Sequence, residues 1–455
     1  MQRPIDFFPN HPFLKSLDVS WKEGIAAGIM VAIMDEYLIP FGLFLGATPL
    51  DIGFLVAIPH LLGSLSQFLA VKIVDHFGSR LRFLSQATLF QAFLLVPMAF
   101  LSVLTFPSRI LALIFLVTLF RVLANLIATL WGSLMSDYLP PEDRGKYFGW
   151  RSRLVGLFGV AALLFAATVL YFFKKFSLPA FGFTFVFLVI AASRLVSSRL
   201  MAQMQDAPHL KQPGDEFTFF MFLRRMRKSN FVKFTLYVGS ITFATTLAAP
   251  YFSVYMLQEL KFNYLVYTFV HMGAVVAGLF SFPVWGKQAD RVGNAKVLKT
   301  TSLFIPLIPV LWLFSNNLLY LFLIEVFAGF VWGGFNLCSV NFIYDAVSPG
   351  KRVRCLSYFS FIMGTMTFLG ASLGGYLAER LPPLNGSRIL SLFLLSAVLR
   401  YLSHFFLSRH FQEVRQRTQP VSSLELFFSV ISMRMDFEKI RDWGLLFGGK
   451  KSGKS

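Results

Sequence analysis

The sequence predicts an all-α membrane protein, with twelve transmembrane helices forming two parallel six-helix repeats around a central cavity. Three observations predict it. Of 455 residues, 56% are hydrophobic and 14% charged, with 55 Phe and a mean hydropathy of +0.63, whereas soluble domains carry about a quarter charged residues. Windows of roughly 20 apolar residues, the length that crosses a hydrocarbon core, recur about twelve times. The chain also aligns with itself at an offset of about 210 residues.

The predicted spans lie near residues 24–46, 51–71, 83–104, 110–135, 150–172 and 178–196, then 232–257, 264–285, 298–315, 318–344, 356–377 and 389–408. Helices are the physical choice because backbone amides in lipid must be satisfied within their own segment, and the alternation of a barrel strand is absent. This partition gives an N-terminal arm (1–23), a first bundle (24–196), a linker (197–231), a second bundle (232–408) and a tail (409–455). The arm places Pro, Asp and His where a signal peptide needs an unbroken apolar run, so it is expected to be retained. The RRMRKSN end of the linker suits either anionic headgroups or plain solvation. In the tail, Ser422 and Glu425 form a capping-box pattern, with Leu424, Phe428, Ile431 and Met435 at helical spacing. A helix lying on the membrane is expected there.

Charge tests the partition. Of the 42 Lys and Arg, 34 fall on the side of the arm, linker and tail, counting those at the span ends that border it, about six on the other, and two deep inside spans. By the positive-inside rule both termini are then cytoplasmic. The net charge of +19 marks topology and does not imply a nucleic-acid partner. The two cysteines, Cys338 and Cys355, sit in or beside apolar segments. No disulfide framework, metal site or cofactor is expected.

The repeat carries detail. Asp137, Pro141, Arg144 and Lys146 meet Asp345, Pro349, Arg352 and Arg354 at one offset of 208. At nearby offsets Pro40 meets Pro250, His60 meets His271, and Asp75-x-x-Gly78 meets Asp290-x-x-Gly293. Parallel repeats with a crevice between them are a transporter architecture, because one half can rock against the other around a fixed site.

On these residues the chain resembles the major facilitator superfamily over nearly its whole length up to about residue 410. WGKQADRVGNAKVL, Trp285 to Leu298, is similar to that family's Gly-x-x-x-Asp-Arg-x-Gly signature between the eighth and ninth helices. The first-half copy, VKIVDHFGSRLRF, keeps Asp75, Gly78, Arg80 and Arg82 but has Val71 and His76 where the signature has Gly and Arg. TLFRVLANLIATLWG resembles the family's arginine-bearing fourth helix, which implies that Arg121 faces the central cavity. The gating residues expected from the signatures and the repeat are Asp75, Gly78, Arg80, Asp137 and Arg144 in the first half, and Asp290, Arg291, Gly293, Asp345 and Arg352 in the second.

Ionisable groups inside spans cost about 2.5 to 3.5 kcal/mol each, so they face a cavity or a partner. Asp35 and Glu36 differ by about 100° around a helix, so one should face the cavity and the other a neighbouring helix. Pro40 frees the carbonyl of Glu36 and can kink the helix beside both acids. Arg121 and Asn125 share a face and could hold a carboxylate of the protein or of a solute. His60, His271 and Asn336 complete the candidate solute and proton site. Glu325 is expected at the outer rim, Arg400 and His404 to snorkel, and Tyr37, Phe41, Trp131 and Trp332 to form aromatic cavity walls.

The sequence therefore predicts a monomeric secondary transporter, without enzymatic activity or an ATP-driven step, in a bacterial inner membrane. Its expected work is proton-coupled export of a small amphiphilic organic solute. The alternatives are uptake of an organic anion, with Arg121 as counter-ion, and a scaffold or sensor that no longer transports.

Overall fold

The computed structural model describes residues 12–69, 73, 77–207, 229–347, 349–414 and 422–432. Polar caps set many of the helix starts. Thr48 and Asp51 form a reciprocal capping box. Ser79, Asn263, Asn317 and Ser387 each accept backbone N–H bonds at the start of the next helix. In the first half the helices are α1 (Leu14–Phe44), α2 (Pro49–Ser66), α3 (Arg80–Phe100), α4 (Arg109–Tyr138), α5 (Pro141–Lys175) and α6 (Pro179–Met201).

The second half repeats the order. The span α7 (Asn230–Glu259) breaks just before Pro250 and ends in a π turn over Tyr255–Glu259. Then follow α8 (Tyr264–Val292), α9a (Asn294–Phe304), α9b (Leu307–Leu311), α10 (Leu318–Ala346), α11 (Pro349–Ala378), α12 (Arg388–Leu407) and the short α13 (Ser423–Ser432). Among the described residues, eleven helices are long and apolar enough to cross a membrane. The ninth expected span is the exception, because it is split into α9a and α9b at Pro306.

Pro309 has no N–H to offer the Ile305 carbonyl four residues back. That carbonyl accepts instead from Ile308 N at 3.3 Å and from Arg400 Nη1 at 3.4 Å. Arg400 is 2% exposed, so it does not snorkel as expected from its place near the end of α12. It is held inside by the carbonyl that the proline leaves short of a donor. His404, one turn on, meets Ser302 Oγ at 2.9 Å.

Two other boundaries differ from expectation. α1 begins at Leu14, so residues 14–23 of the expected arm continue the first helix. The buried Ser16, Leu17, Val19 and Ser20 explain why: that turn packs on the bundle, and an Asp18–Lys22 pair one turn apart supports its outer face. In the tail, the Ser422–Glu425 capping box is present, at 3.4 and 3.1 Å. The face that carries Leu426 and Phe427 is buried against the second half, with Phe427 stacked on Phe304 at 3.8 Å, while Leu424 is exposed. This helix is docked on protein along that face, and Met435 lies outside the described residues.

The apolar core states how the halves sit. On the far face, away from the linker, one cluster joins residues of both halves, including Phe41, Phe183, Tyr251, Tyr264 and Phe393. On the linker face the core divides into two separate clusters, one per half. Far-face ties cross between the halves: Tyr37 to Thr268 at 2.5 Å, Tyr251 OH to Pro49 O at 3.0 Å, and Leu50 N to Glu379 Oε1 at 3.3 Å. Gly53 and Gly364 let α2 and α11 touch, since a Cβ at either would collide with the facing helix. The fold is closed on the far face and divided toward the linker.

A short strap follows each bundle. After α6, Ser79 Oγ donates to Asp206 Oδ2 at 2.5 Å and Arg80 Nη2 to Ala207 O at 2.9 Å. After α12, Asn230 and Gln412 bond reciprocally at 2.8 Å, Phe411 is fully buried, and Ala295 N donates to Glu413 Oε2 at 2.7 Å. Asp206 and Glu413 stand near the repeat offset, and each brings a carboxylate to the start of the third helix of its half. Removing such a cap costs about 1 kcal/mol. Glu413→Ala is therefore expected to lower the Tm of the detergent-purified protein measurably, with Glu413→Gln recovering part of the loss. An unchanged Tm in Glu413→Ala would mean that the strap carries no stability.

Candidate functional site

The charged residues expected inside the bundle separate into two groups. On α1, Asp35 turns toward the first half and meets Arg121 of α4, Oδ1 to Nη2 at 2.5 Å. Asp35 is 51% exposed and Arg121 24% exposed, so this pair faces open space. Glu36, one position on, turns to the second half. His271 of α8 lies between it and Glu325 of α10, with Nε2 at 3.9 Å from Glu36 Oε1 and Nδ1 at 4.0 Å from Glu325 Oε2.

Both distances are too long for hydrogen bonds but short enough for Coulombic contact at low dielectric. Glu36 Oε1 and His271 Nε2 are buried and have no hydrogen-bond partner among the described residues. Tyr267 OH, one turn before His271, donates to the backbone oxygen of Glu36 at 3.1 Å and shares a 3.0 Å bond with Ser253. Glu325 is 8% exposed, which corrects its expected rim position. It projects inward because α8 and α10 pack along their length, with backbone touching at Gly273, Gly329 and Gly333, where a Cβ would press on or collide with the partner helix.

Asn125 does not stand open beside Arg121. Its Nδ2 donates to Arg121 O at 3.0 Å and its Oδ1 accepts from Gln67 Nε2 at 2.9 Å, which ties α4 to the end of α2. His60, the repeat partner of His271, uses Nδ1 within its own helix, 2.8 Å from Val56 O. Asn336 is exposed on α10. Of the expected aromatic walls, Trp131 lines the cavity, whereas Tyr37 and Phe41 are fully buried in the far-face core.

The signature residues form ties within each half. Arg80 pairs with Asp137 at 2.6 Å and also bonds Ser133. Arg144 bonds the carbonyls of Leu139 and Ser136 at the end of α4. In the second half Asn294 Nδ2 donates to Asp345 Oδ2 at 2.8 Å, the neutral counterpart of Arg80 and Asp137. Gly78 and Gly293 have φ of +66° and +94°, which suits glycine at the turn into the third helix of each half. Asp290 and Arg291 are exposed at the last turn of α8. Asp75 and the side chain of Arg352 lie outside the described residues.

Sequence reasoning missed one polar network. Below Asp35 and Arg121, toward the linker face, Glu23 of α1 accepts from Arg151 of α5 at 3.1 Å and from Ser197 of α6 at 2.8 Å. Arg194 of α6 donates to Gln91 Oε1 at 2.9 and 2.5 Å and to Ser197 Oγ at 3.1 Å. Arg151 also lies over the Trp131 ring, at 4.5 Å. Glu23, Gln91, Trp131, Arg151 and Arg194 line a cavity of about 210 Å³ together with Asp35, Arg121, Met30, Met34 and Phe120. The signal was present: Arg194 interrupts the apolar run LVIAASRLVSS, and Arg400 stands near the repeat offset from it.

A second oversight concerns phosphate binding. Gly448 to Ser455, GGKKSGKS, carries the spacing GxxxxGKS of a phosphate-binding loop, contrary to the expectation that no ATP-driven step is signalled. Such a loop works between a strand and a following helix. These residues lie outside the described ones.

The sequence matches the Major Facilitator Superfamily family description over residues 23–278 and again over 234–449. None of the curated proteins compared with this chain matches it in sequence. Several solved structures share its fold. A variant of the nucleoside transporter NupG is 12% identical, with a TM-score of 0.70, 87% of this chain and 100% of that one being covered. A D-xylose-proton symporter is 12% identical with a TM-score of 0.67, over 90% and 100% of the two chains. A bacterial homologue of the iron transporter ferroportin, in an inward-facing state, is 14% identical with a TM-score of 0.64, over 88% and 100%.

The half-exposed Asp35–Arg121 pair is screened by solvent, so its net worth is about 0.5 to 1 kcal/mol. A double-mutant cycle with Asp35→Asn and Arg121→Gln, read by thermal unfolding, should return a coupling of that size. A coupling near zero would show that the two residues do not hold each other.

Proposed function

The chain belongs to the major facilitator superfamily, and from that premise we propose that it is a proton-coupled secondary transporter, not an enzyme, which moves a small organic solute by alternating access. It is an integral membrane protein, and we place its termini in the cytoplasm of a bacterial inner membrane, on the side where Lys and Arg concentrate. One observation carries the reading. Glu36 belongs to the first half, and His271 and Glu325 belong to the second, so this acid–imidazole–acid group spans the joint that must open.

With the far face shut, Glu36 is held near His271 by the Tyr267 bond to its backbone and by the Tyr37–Thr268 tie. Opening that face withdraws α1 from α8 and α10, so Glu36 loses its imidazole neighbour and gains water. A proton shared among three groups in one state is then exposed in the other, and proton exchange becomes linked to the rocking motion. Histidine suits the task because its ring nitrogens can each carry or release a proton. Asp35 and Arg121 neutralise each other and face the cavity instead, which leaves to Glu36 the proton role expected of the two acids.

Flux in proteoliposomes carrying a pH-sensitive dye tests the proposal, with an inward gradient of each of a panel of organic solutes and no imposed pH gradient. Glu36→Gln, His271→Asn and Glu325→Gln should each abolish solute-dependent proton movement while solute exchange persists, because exchange needs no net proton transfer. The sign of proton movement in the unaltered protein separates export by antiport from uptake by symport. Full proton coupling in all three variants would overturn the assignment.

A further inference from the structure

The cavity that opens toward the linker face holds more guanidinium than carboxylate. Its charged lining residues are Glu23, Asp35, Arg121, Arg151 and Arg194. Arg121 is matched by Asp35 at 2.5 Å and Arg151 by Glu23 at 3.1 Å. Arg194 has no such match. Among the described residues its hydrogen-bond partners are Gln91 and Ser197, both neutral, and its nearest acid, Glu23, is already shared by Arg151 and Ser197.

Arg194 is 4% exposed, and a guanidinium does not shed its proton in a protein. A buried charge that keeps only neutral partners is costly unless an opposite charge reaches it. The Gln91 and Ser197 bonds fix the guanidinium plane at the cavity wall; Gln91 is itself fixed by donating Nε2 to Phe120 O at 2.9 Å. The walls around this point are apolar: Met30, Met34, Phe120, Ile127, Trp131 and Met201. One unmatched positive charge sits in a greasy chamber.

We infer that this cavity binds the singly charged anionic head of an amphiphilic organic solute, a carboxylate foremost, with Arg194 as its counter-ion, Arg151 as a second donor, and the Met and aromatic walls around its apolar body. The inference rests on the reading of the chain as a small-solute transporter, but not on proton coupling. It also changes the counter-ion expected for an anion. Arg121, the cavity arginine signalled by the sequence, is occupied by Asp35, whereas Arg194 on α6 is available.

Binding to the purified full-length protein in detergent, at fixed pH and without a gradient, tests it. Phenylacetate, phenethylamine and phenethyl alcohol share one apolar body and differ in charge. The readouts are the shift in Tm and the change in tryptophan fluorescence, since Trp131 lines the cavity. Phenylacetate should bind saturably at millimolar concentration, and the amine and alcohol should not. Arg194→Gln should weaken phenylacetate about tenfold or more through loss of charge-assisted hydrogen bonds, with Arg194→Lys recovering part. Glu23→Gln, which frees Arg151 and adds positive charge, should tighten it, a gain that misfolding cannot imitate.

Equal or stronger binding of phenethylamine, no saturable binding of phenylacetate, or loosened binding in Glu23→Gln would each overturn the inference. A preference for the amine would leave proton coupling standing. Loss of proton coupling in the flux assay would leave anion binding standing.

Discussion

Charge inside a lipid-embedded bundle has to be matched, since water is not there to solvate it. Much of the polar structure follows from how each half meets that demand. Asp35 answers Arg121, Glu23 answers Arg151, and Asp137 answers Arg80. Where no acid is at hand, neutral oxygens serve: Gln91 for Arg194 and the Ile305 carbonyl for Arg400. The same demand brings helices together, because each of these ties joins two separate helices. Apolar side chains alone would not do this in a bilayer, where lipid tails are as apolar as Leu.

The two halves use that logic differently along their depth. Toward the far face a single apolar core and several cross-half hydrogen bonds hold them as one body. Toward the linker each half has its own core and its own strap, with Asp206 or Glu413 at the start of its third helix. Hydrogen bonds that cross between halves are therefore concentrated where closure is needed, while toward the linker Phe68 after α2 still packs on Tyr358 and Phe361 of α11. Contact within a half dominates where the halves must part. A rocking motion can then exchange far-face ties without rebuilding either bundle, which is the mechanical requirement for alternating access.

Much of the fold was legible in the sequence because span length, Lys and Arg placement and the repeat all report on the bilayer rather than on packing detail. Among the described residues eleven of the twelve expected spans are long apolar helices, and prolines divide the ninth into α9a and α9b. The division of labour between Asp35 and Glu36 followed from helical geometry alone. Partner choice did not. Glu325 looked like a rim residue because it stands early in α10, yet the inward side of a helix depends on which neighbour covers it. Glu23 falls in the expected arm and Arg194 near the end of the sixth expected span, where hydropathy windows fade into charge, whereas α1 starts before and α6 runs beyond those edges.

The depth order of the charged groups bears on coupling. Glu36, His271 and Glu325 lie nearest the far face, Asp35 and Arg121 come next, and Glu23, Arg151 and Arg194 line the cavity toward the linker. A solute anion at Arg194 and a proton at His271 would thus occupy different levels, with the Asp35–Arg121 pair between them. They need not compete for one residue. Coupling would instead pass through α1, which carries Glu23, Asp35 and Glu36 on one continuous helix with Pro40 inside it. Under the proposed function, movement of α1 on closing around an anion would alter the distance of Glu36 from His271. One rigid element then reports the state of one site to the other, and no direct contact between solute and proton is required.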